Sequence, residues 1–362
     1  MSKRKYILQN ITLGLIILVT LVCLGFIGSV IGRDIRLSVI KSQEIDVSAQ
    51  NVVLMIGDGM GFEHIEVTSD FFGKEMFMTS LEFNGEVQTH SKNMIIPTDS
   101  AAAATALATG QKVNNGVLAF CGEDIENISE IAKKQNKGVG IVCTETLSGA
   151  TPAGFSAHTS HRSNVQEIRQ DQYQSDIDIF LGAGLSEYSA EETQIVNSGY
   201  DFVTSFSDLS LDSEKIFGVF EDISNYENLD KTPTLEKLTE FAVSFLSNKY
   251  PNGFFLMVEG SHIDKKSHNN DIIGMIDCVN EFDKAVKKVS SMLDENTFVI
   301  VTADHETGGL NFDKDKDEIS DSLYSSAGHT SRNVPYFMSG KITQMPKFMD
   351  NTDIFRAMKQ CF

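Results

Sequence analysis

A chain of 362 residues, 41% of them hydrophobic, is long enough for one large α/β domain or two small ones. Its formal net charge of −20 argues against nucleic acid as a partner, because counterion release needs clustered lysine and arginine. An anionic substrate must then be held by local positive charge, which bound metal would provide.

Lys3, Arg4 and Lys5 precede an uncharged run from Ile11 to Gly32 rich in Ile, Leu and Val. At 1.5 Å per residue the run spans about 33 Å, enough to cross a bilayer and long for the core of a cleaved signal. Val30 and Gly32 make a poor cleavage site, so residues 1–32 are expected to form an uncleaved membrane anchor in preference to a signal peptide. Residues 33–50 read as a polar tether and residues 51–362 as a single domain. Charge before the run places that domain outside the membrane, although Arg33, Arg36 and Lys41 weaken the asymmetry. Of the five cysteines, Cys23 lies in the run. Cys121, Cys143, Cys278 and Cys361 match no zinc-thiolate spacing, and the sequence leaves their pairing open.

Asn51-Val52-Val53-Leu54-Met55-Ile56 reads as a buried strand, closed by Gly57-Asp58-Gly59-Met60-Gly61. Such a turn holds the Asp58 carboxylate at the strand's C-terminal end. Pro97 and Thr98 disfavour a helix and the alanines after Ser100 favour one, so a helix is expected to begin at about Ser100. Its hydroxyl then lies among backbone N–H groups without acceptors, a place suited to phosphate, although serine is also an ordinary cap. A helix follows around Ile128 to Gln135. Buried strands follow at residues 138–144, 177–181, 254–258 and 297–302, with a long helix at about 271–293. The stretch 185–250 contributes an edge strand at Ile216 to Phe220 and an amphipathic helix at Leu235 to Asn248. The alternation predicts an α/β three-layer sandwich with a central, mostly parallel sheet and helices on both faces. Ligands bind beyond the carboxyl ends of such strands, where Asp58, Glu259 and Asp304 are placed. Three acids there repel one another unless cations neutralise them.

Asp264 and His268 are four apart, so on a helix they share a face and can grip one ion. Asp304 and His305 follow a strand directly, and His329 stands in a loop after Gly328. His64, His90, His158, His161 and His262 read as ordinary surface or hydrogen-bonding residues. Arg162, beyond a segment broken by Pro152 and Gly154, can offer its planar fork to two phosphate oxygens.

These pieces resemble the alkaline phosphatases, in family order over residues 51–340: Gly57-Asp58-Gly59-Met60-Gly61, Thr98-Asp99-Ser100-Ala101-Ala102, Ala150-Thr151-Pro152-Ala153 with Arg162, Val258-Glu259-Gly260, the Asp264/His268 pair, Thr302-Ala303-Asp304-His305-Glu306-Thr307-Gly308-Gly309, and Gly328-His329. The resemblance implies a phosphate-monoester hydrolase, exported or membrane-tethered, with Ser100 as the nucleophile that becomes a phosphoserine. It implies one zinc held by Asp58, Asp304 and His305 and a second by Asp264, His268 and His329. It further implies a magnesium held by Asp58, Thr151 and Glu259, with Arg162 clamping the phosphoryl oxygens. Lys265 matches family members whose lysine reaches the phosphate through water, against the alternative of an ordinary exposed lysine. Family members are usually homodimers, which leaves that assembly open here. One position departs from the pattern. Gly149 stands two residues before Thr151, where the family usually carries an Asp or His beside the magnesium, so a wetter, weaker site is expected. A phosphodiesterase or sulfatase chemistry, or an inert metal-binding surface protein, are the alternatives.

Overall fold

Six of the apolar runs become strands of one ten-stranded sheet in the computed structural model, which describes residues 45–223 and 230–362. The run at residues 11–32, on which the anchor expectation rests, lies outside the described residues, as do residues 33–44 of the tether. Among the described residues no helix is long and apolar enough to cross a membrane.

In chain order the strands are β1 (Asn51–Gly57), β2 (Phe83–Gln88), β3 (Gly138–Thr146), β4 (Ile179–Ala183), β5 (Asp201–Val203), β6 (Ile216–Phe220), β7 (Phe254–Gly260), β8 (Thr297–Thr302), β9 (Val334–Ser339) and β10 (Phe348–Asp350). They lie side by side in the order β10-β2-β9-β8-β1-β7-β3-β4-β6-β5. Only β9 runs against the others, pairing antiparallel with both β8 and β2. Every residue of β7 and β8 is buried, as expected for parallel strands covered on both faces. The helices around the sheet include α1 (Phe62–Phe72), α2 (Ser100–Thr109), α3 (Ile128–Lys134), α4 (Ala150–Gly154), α5 (Leu235–Lys249), α6 (His262–His268) and α7 (Ile272–Met292). One helical layer is built around α7, which packs on α1, α5 and α6, and the other around α2, which packs on α3 and α4.

Two readings change. Ile216 to Phe220 is not the edge: β6 is wholly buried and sits between β4 and β5, and the three-residue β5 takes the edge. Glu259 does not follow its strand but is the penultimate residue of β7. The four described cysteines are free thiols.

All ten residues of α2 are buried, so the helix is enclosed on every side and not along one stripe. Alanine is what allows this. A Cβ placed on Gly154 of α4 would lie 2.7 Å from the Ala104 Cβ, closer than two carbons can sit. Ala104→Leu is therefore expected to cost about 1–3 kcal/mol through overpacking, read as a lower denaturant midpoint. An unchanged midpoint would show slack between α2 and α4.

Candidate metal centre

The sheet register brings the acids together. Ile56 of β1 pairs with Glu259 of β7 and with Thr302 of β8, so these three positions share one level of the sheet. Asp58 and Asp304 each lie two residues beyond that level, where the chain leaves the sheet. Gly59, between Asp58 and α6, must be glycine: its φ is +74°, and a Cβ there would lie 3.0 Å from the backbone of Asp264. The close approach carries α6 and its Asp264 up against the Asp58 turn.

Each histidine expected to bind metal has its far nitrogen tied. His268 Nδ1 is 2.6 Å from the Ala327 carbonyl and His329 Nδ1 is 2.8 Å from the Thr98 carbonyl. A carbonyl only accepts, so both rings donate from Nδ1, and a neutral ring then presents a bare Nε2. Those two Nε2 atoms face each other at 3.1 Å, a repulsive arrangement of lone pairs unless a cation lies beside both. His305 Nδ1 is 3.2 Å from Thr307 Oγ1, whose hydroxyl donates to Asp264 Oδ1 at 2.5 Å. The same logic leaves His305 Nε2 bare, 3.2 Å from Asp304 Oδ2 and 3.4 Å from Asp58 Oδ1.

Two ligand groups result. Donor atoms of Asp58, Asp304 and His305 lie within 4.8 Å of one another, and so do those of Asp264, His305 and His329. His268 joins the second group through its Nε2, 3.3 Å from Asp264 Oδ2. His305 thus stands between the groups, its ring stacked 3.6 Å from that of His329.

Buried polar atoms without partners mark the same place. Asp58 Oδ1, Asp304 Oδ2, Thr151 Oγ1 and Glu259 Oε2 are buried and accept or donate no hydrogen bond. Thr151 lies near enough to Glu259 to affect its titration, yet no hydrogen bond closes between them. Burial, then the carboxyls of Asp304, Asp264, Glu259 and Glu145, push Asp58 well above the carboxylate range. Burial and the neighbouring Glu145 push Glu259 up to about 8. Burial raises Asp304 as well, against backbone N–H groups of Gly59 and His305 that donate to it. Buried, bare carboxylate oxygens are held charged in such a place only by cations, so the donor set fits metal ions.

Ser100 is the first residue of α2, not its cap. Asp99 is the cap: one carboxylate oxygen accepts from the Ala102 N–H at 3.0 Å and the other from the Gly116 N–H at 2.9 Å. Ser100 Oγ lies 3.3 Å from His305 Nε2, against the first ligand group. Arg162 reaches the same corner, its guanidinium 3.5 Å from Asp99 and its N–H donating to the Gly116 carbonyl at 2.7 Å. Gly116 therefore joins Asp99 to Arg162 through both of its backbone groups. Lys265, half exposed on α6, forms an ion pair with Glu145 at 2.8 Å.

Sequence reasoning missed Gly116, Glu145, Thr307 and the carbonyls of Thr98 and Ala327, all of which act through contacts distant in the chain. His64 was legible only as a hydrogen-bonding residue. It is fully buried, accepts from the Gly61 N–H at 3.2 Å and donates to Ser267 Oγ at 3.1 Å, which pins the Asp58 turn to α6. His262, the residue flanked by ligands, belongs to neither ligand group.

Residues 49–338 match the family model described as Alkaline phosphatase. The chain belongs to the alkaline phosphatase family. It is 32% identical over 346 residues to Alkaline phosphatase 4 of Bacillus subtilis, spanning 88% of this chain and 74% of the relative. Alkaline phosphatase of Escherichia coli is 29% identical over 333 residues, spanning 72% of this chain and 70% of the relative. Among solved structures, alkaline phosphatase from the Antarctic bacterium TAB5 superposes with a TM-score of 0.77 at 29% identity, covering 87% of this chain and 98% of that one. A TAB5 variant with Mg bound in its M3 site superposes with a TM-score of 0.76 at the same identity and coverage. Like the family, this alkaline phosphatase is a metal-dependent enzyme acting on phosphate monoesters.

Cation uptake by the metal-stripped enzyme is expected to tighten as pH rises through about 8 if Glu259 is a ligand, because a ligating carboxylate must first lose its proton. The stripped fold has the opposite dependence. Glu259 holds its proton more tightly folded than unfolded, so stability is full below its ordinary 4.5 and falls as pH rises toward about 8. Calorimetry in two buffers of unlike ionisation enthalpy reads the first, and Tm of chelator-treated protein the second. Uptake without proton release at neutral pH would contradict this account.

Proposed function

We propose that Ser100 is the nucleophile of a phosphate-monoester hydrolysis that runs through a phosphoserine. Its Oγ bonds to phosphorus, the ester P–O bond breaks, and the alcohol departs. Water then cleaves the phosphoserine and releases inorganic phosphate. The observation that carries this reading is the position of Ser100 Oγ at the first turn of a buried helix, 3.3 Å from His305 Nε2. Unpaired amide groups of that turn favour negative charge on the phosphoryl oxygens. Arg162, oriented by Asp99 and Gly116, offers them its planar fork.

Asp58, Asp304 and His305 would hold one zinc ion, and Asp264, His268 and His329 a second, since imidazole with carboxylate suits zinc. Asp58, Thr151 and Glu259, an all-oxygen set, would hold magnesium, the ion named for the TAB5 variant. Bound there, the cations supply Lewis-acid stabilisation to the attacking and leaving oxygens of an in-line displacement. The residues named all come from one chain, so a homodimer is not required for the chemistry. Exposure of Lys265 and Arg162 at the rim suits small phosphomonoesters of varied leaving group.

Ser100→Ala should lower phosphomonoester turnover by on the order of 10³-fold or more while leaving zinc content unchanged. Labelled phosphate should be trapped at acid pH on Ser100 of the wild type. Label on any other residue sinks the assignment.

The run at residues 11–32 supports a catalytic domain tethered outside the membrane. Fractionation should then recover activity in membranes, at full length and open to external protease. Soluble enzyme beginning near Arg33 would establish a cleaved signal instead.

A further inference from the structure

Position 149 leaves the magnesium site one acid short by the family pattern, and Glu145 is the acid that lies beside it. A Cβ built on Gly149 would touch the Glu145 Cγ at 3.7 Å, so a side chain at 149 would project alongside that of Glu145. Gly149 has an ordinary extended backbone, φ −56° and ψ 158°, and the atom closest to a Cβ there is the Thr146 carbonyl oxygen at 3.0 Å, so a side chain needs a small local shift. Sheet register explains how Glu145 arrives there. Cys143 of β3 pairs with Glu259, at the level shared by Ile56 and Thr302, and Glu145 lies two residues beyond it. That is the offset of Asp58 and Asp304 on their own strands. Glu145, still within β3, is thus the third carboxylate of a row at one height, beside the strand of Glu259. Its carboxylate then pairs with the half-exposed Lys265 of α6 at 2.8 Å.

We propose that Glu145 supplies from the end of β3 the acid that this chain lacks at position 149. It is a positioning residue with two contacts. Toward the pocket of Asp58, Thr151 and Glu259 it offers a carboxylate to order the water ligands of a divalent, oxygen-preferring cation. Toward solvent it holds the Lys265 ammonium of α6. The pairing of Cys143 with Glu259 sets the β3 end that carries Glu145 directly beside the Glu259 end of β7. Magnesium, which keeps several waters when bound, is the ion most dependent on such an outer partner.

This inference rests on the magnesium assignment above, and its test separates the two. The zinc-loaded enzyme is titrated with Mg²⁺ by calorimetry, with zinc content measured in parallel. Glu145→Gln should weaken Mg²⁺ binding by about 10–100-fold, the usual cost of losing an outer-shell partner, with zinc content unchanged. Gly149→Asp should restore binding when combined with Glu145→Ala, and should bring little gain alone, because a carboxylate already stands beside that position. Wild-type affinity in Glu145→Gln, or a full gain from Gly149→Asp alone, overturns the role of Glu145 while leaving the magnesium site intact. A wild type that binds no Mg²⁺ overturns the site and the inference together.

Discussion

Several carboxyl groups meet at one edge of the sheet with almost no water around them, and everything else about the site answers that fact. Asp58, Glu259 and Asp304 are buried, and parts of each carry no hydrogen bond. Isolated anions in such surroundings take up protons instead of staying charged, as the raised values of all three record. Cations convert that instability into affinity. The histidines are prepared for the same purpose: a carbonyl or hydroxyl fixes each Nδ1, so no rotation or tautomer change is needed before Nε2 can bind. Preorganisation is obtained with contacts from four separate segments, which makes the site a property of the whole fold.

Much of this was legible in the chain because parallel α/β sheets announce themselves. Buried strands read as unbroken apolar runs, and residues that follow them land on one edge, which is how Asp58 and Asp304 were found. The helical spacing of Asp264 and His268 was equally readable, and α6 carries it out. What the chain hid was of two kinds. The edge strands β5 and β10 are three residues each, too short for any periodicity, and β9 contains Pro335, which reads as a breaker. Pro335 is tolerated because pairing with β8 begins only at Tyr336. Glu145 was hidden for another reason. Thr144-Glu145-Thr146 looks like any polar strand end, and only the pairing of Cys143 with Glu259 gives its carboxylate a neighbour.

The nucleophile's helix shows how composition serves position. Alanine on every face lets α2 pass through the interior with neighbours on all sides, and Asp99 closes its first turn while gripping the loop at Gly116. Cap, arginine and serine are therefore one mechanical unit. A side chain at the first turn of a helix enclosed in this way has little freedom to drift from its place among the ligands. Resemblance to the family suggested Asp99 as part of a motif; the structure gives the reason, a carboxylate shared between a helix start and an arginine.

The four thiols have a consequence of their own. Cys121, Cys143, Cys278 and Cys361 are unbridged, and the described residues are held by their core and their sheet. Their folding therefore does not wait for an oxidant, and a reducing compartment is no obstacle to it. Whether a molecule of this enzyme is active in a given compartment is decided by the supply of metal there. For an exported chain, that moves the checkpoint on activity from thiol chemistry to ion homeostasis.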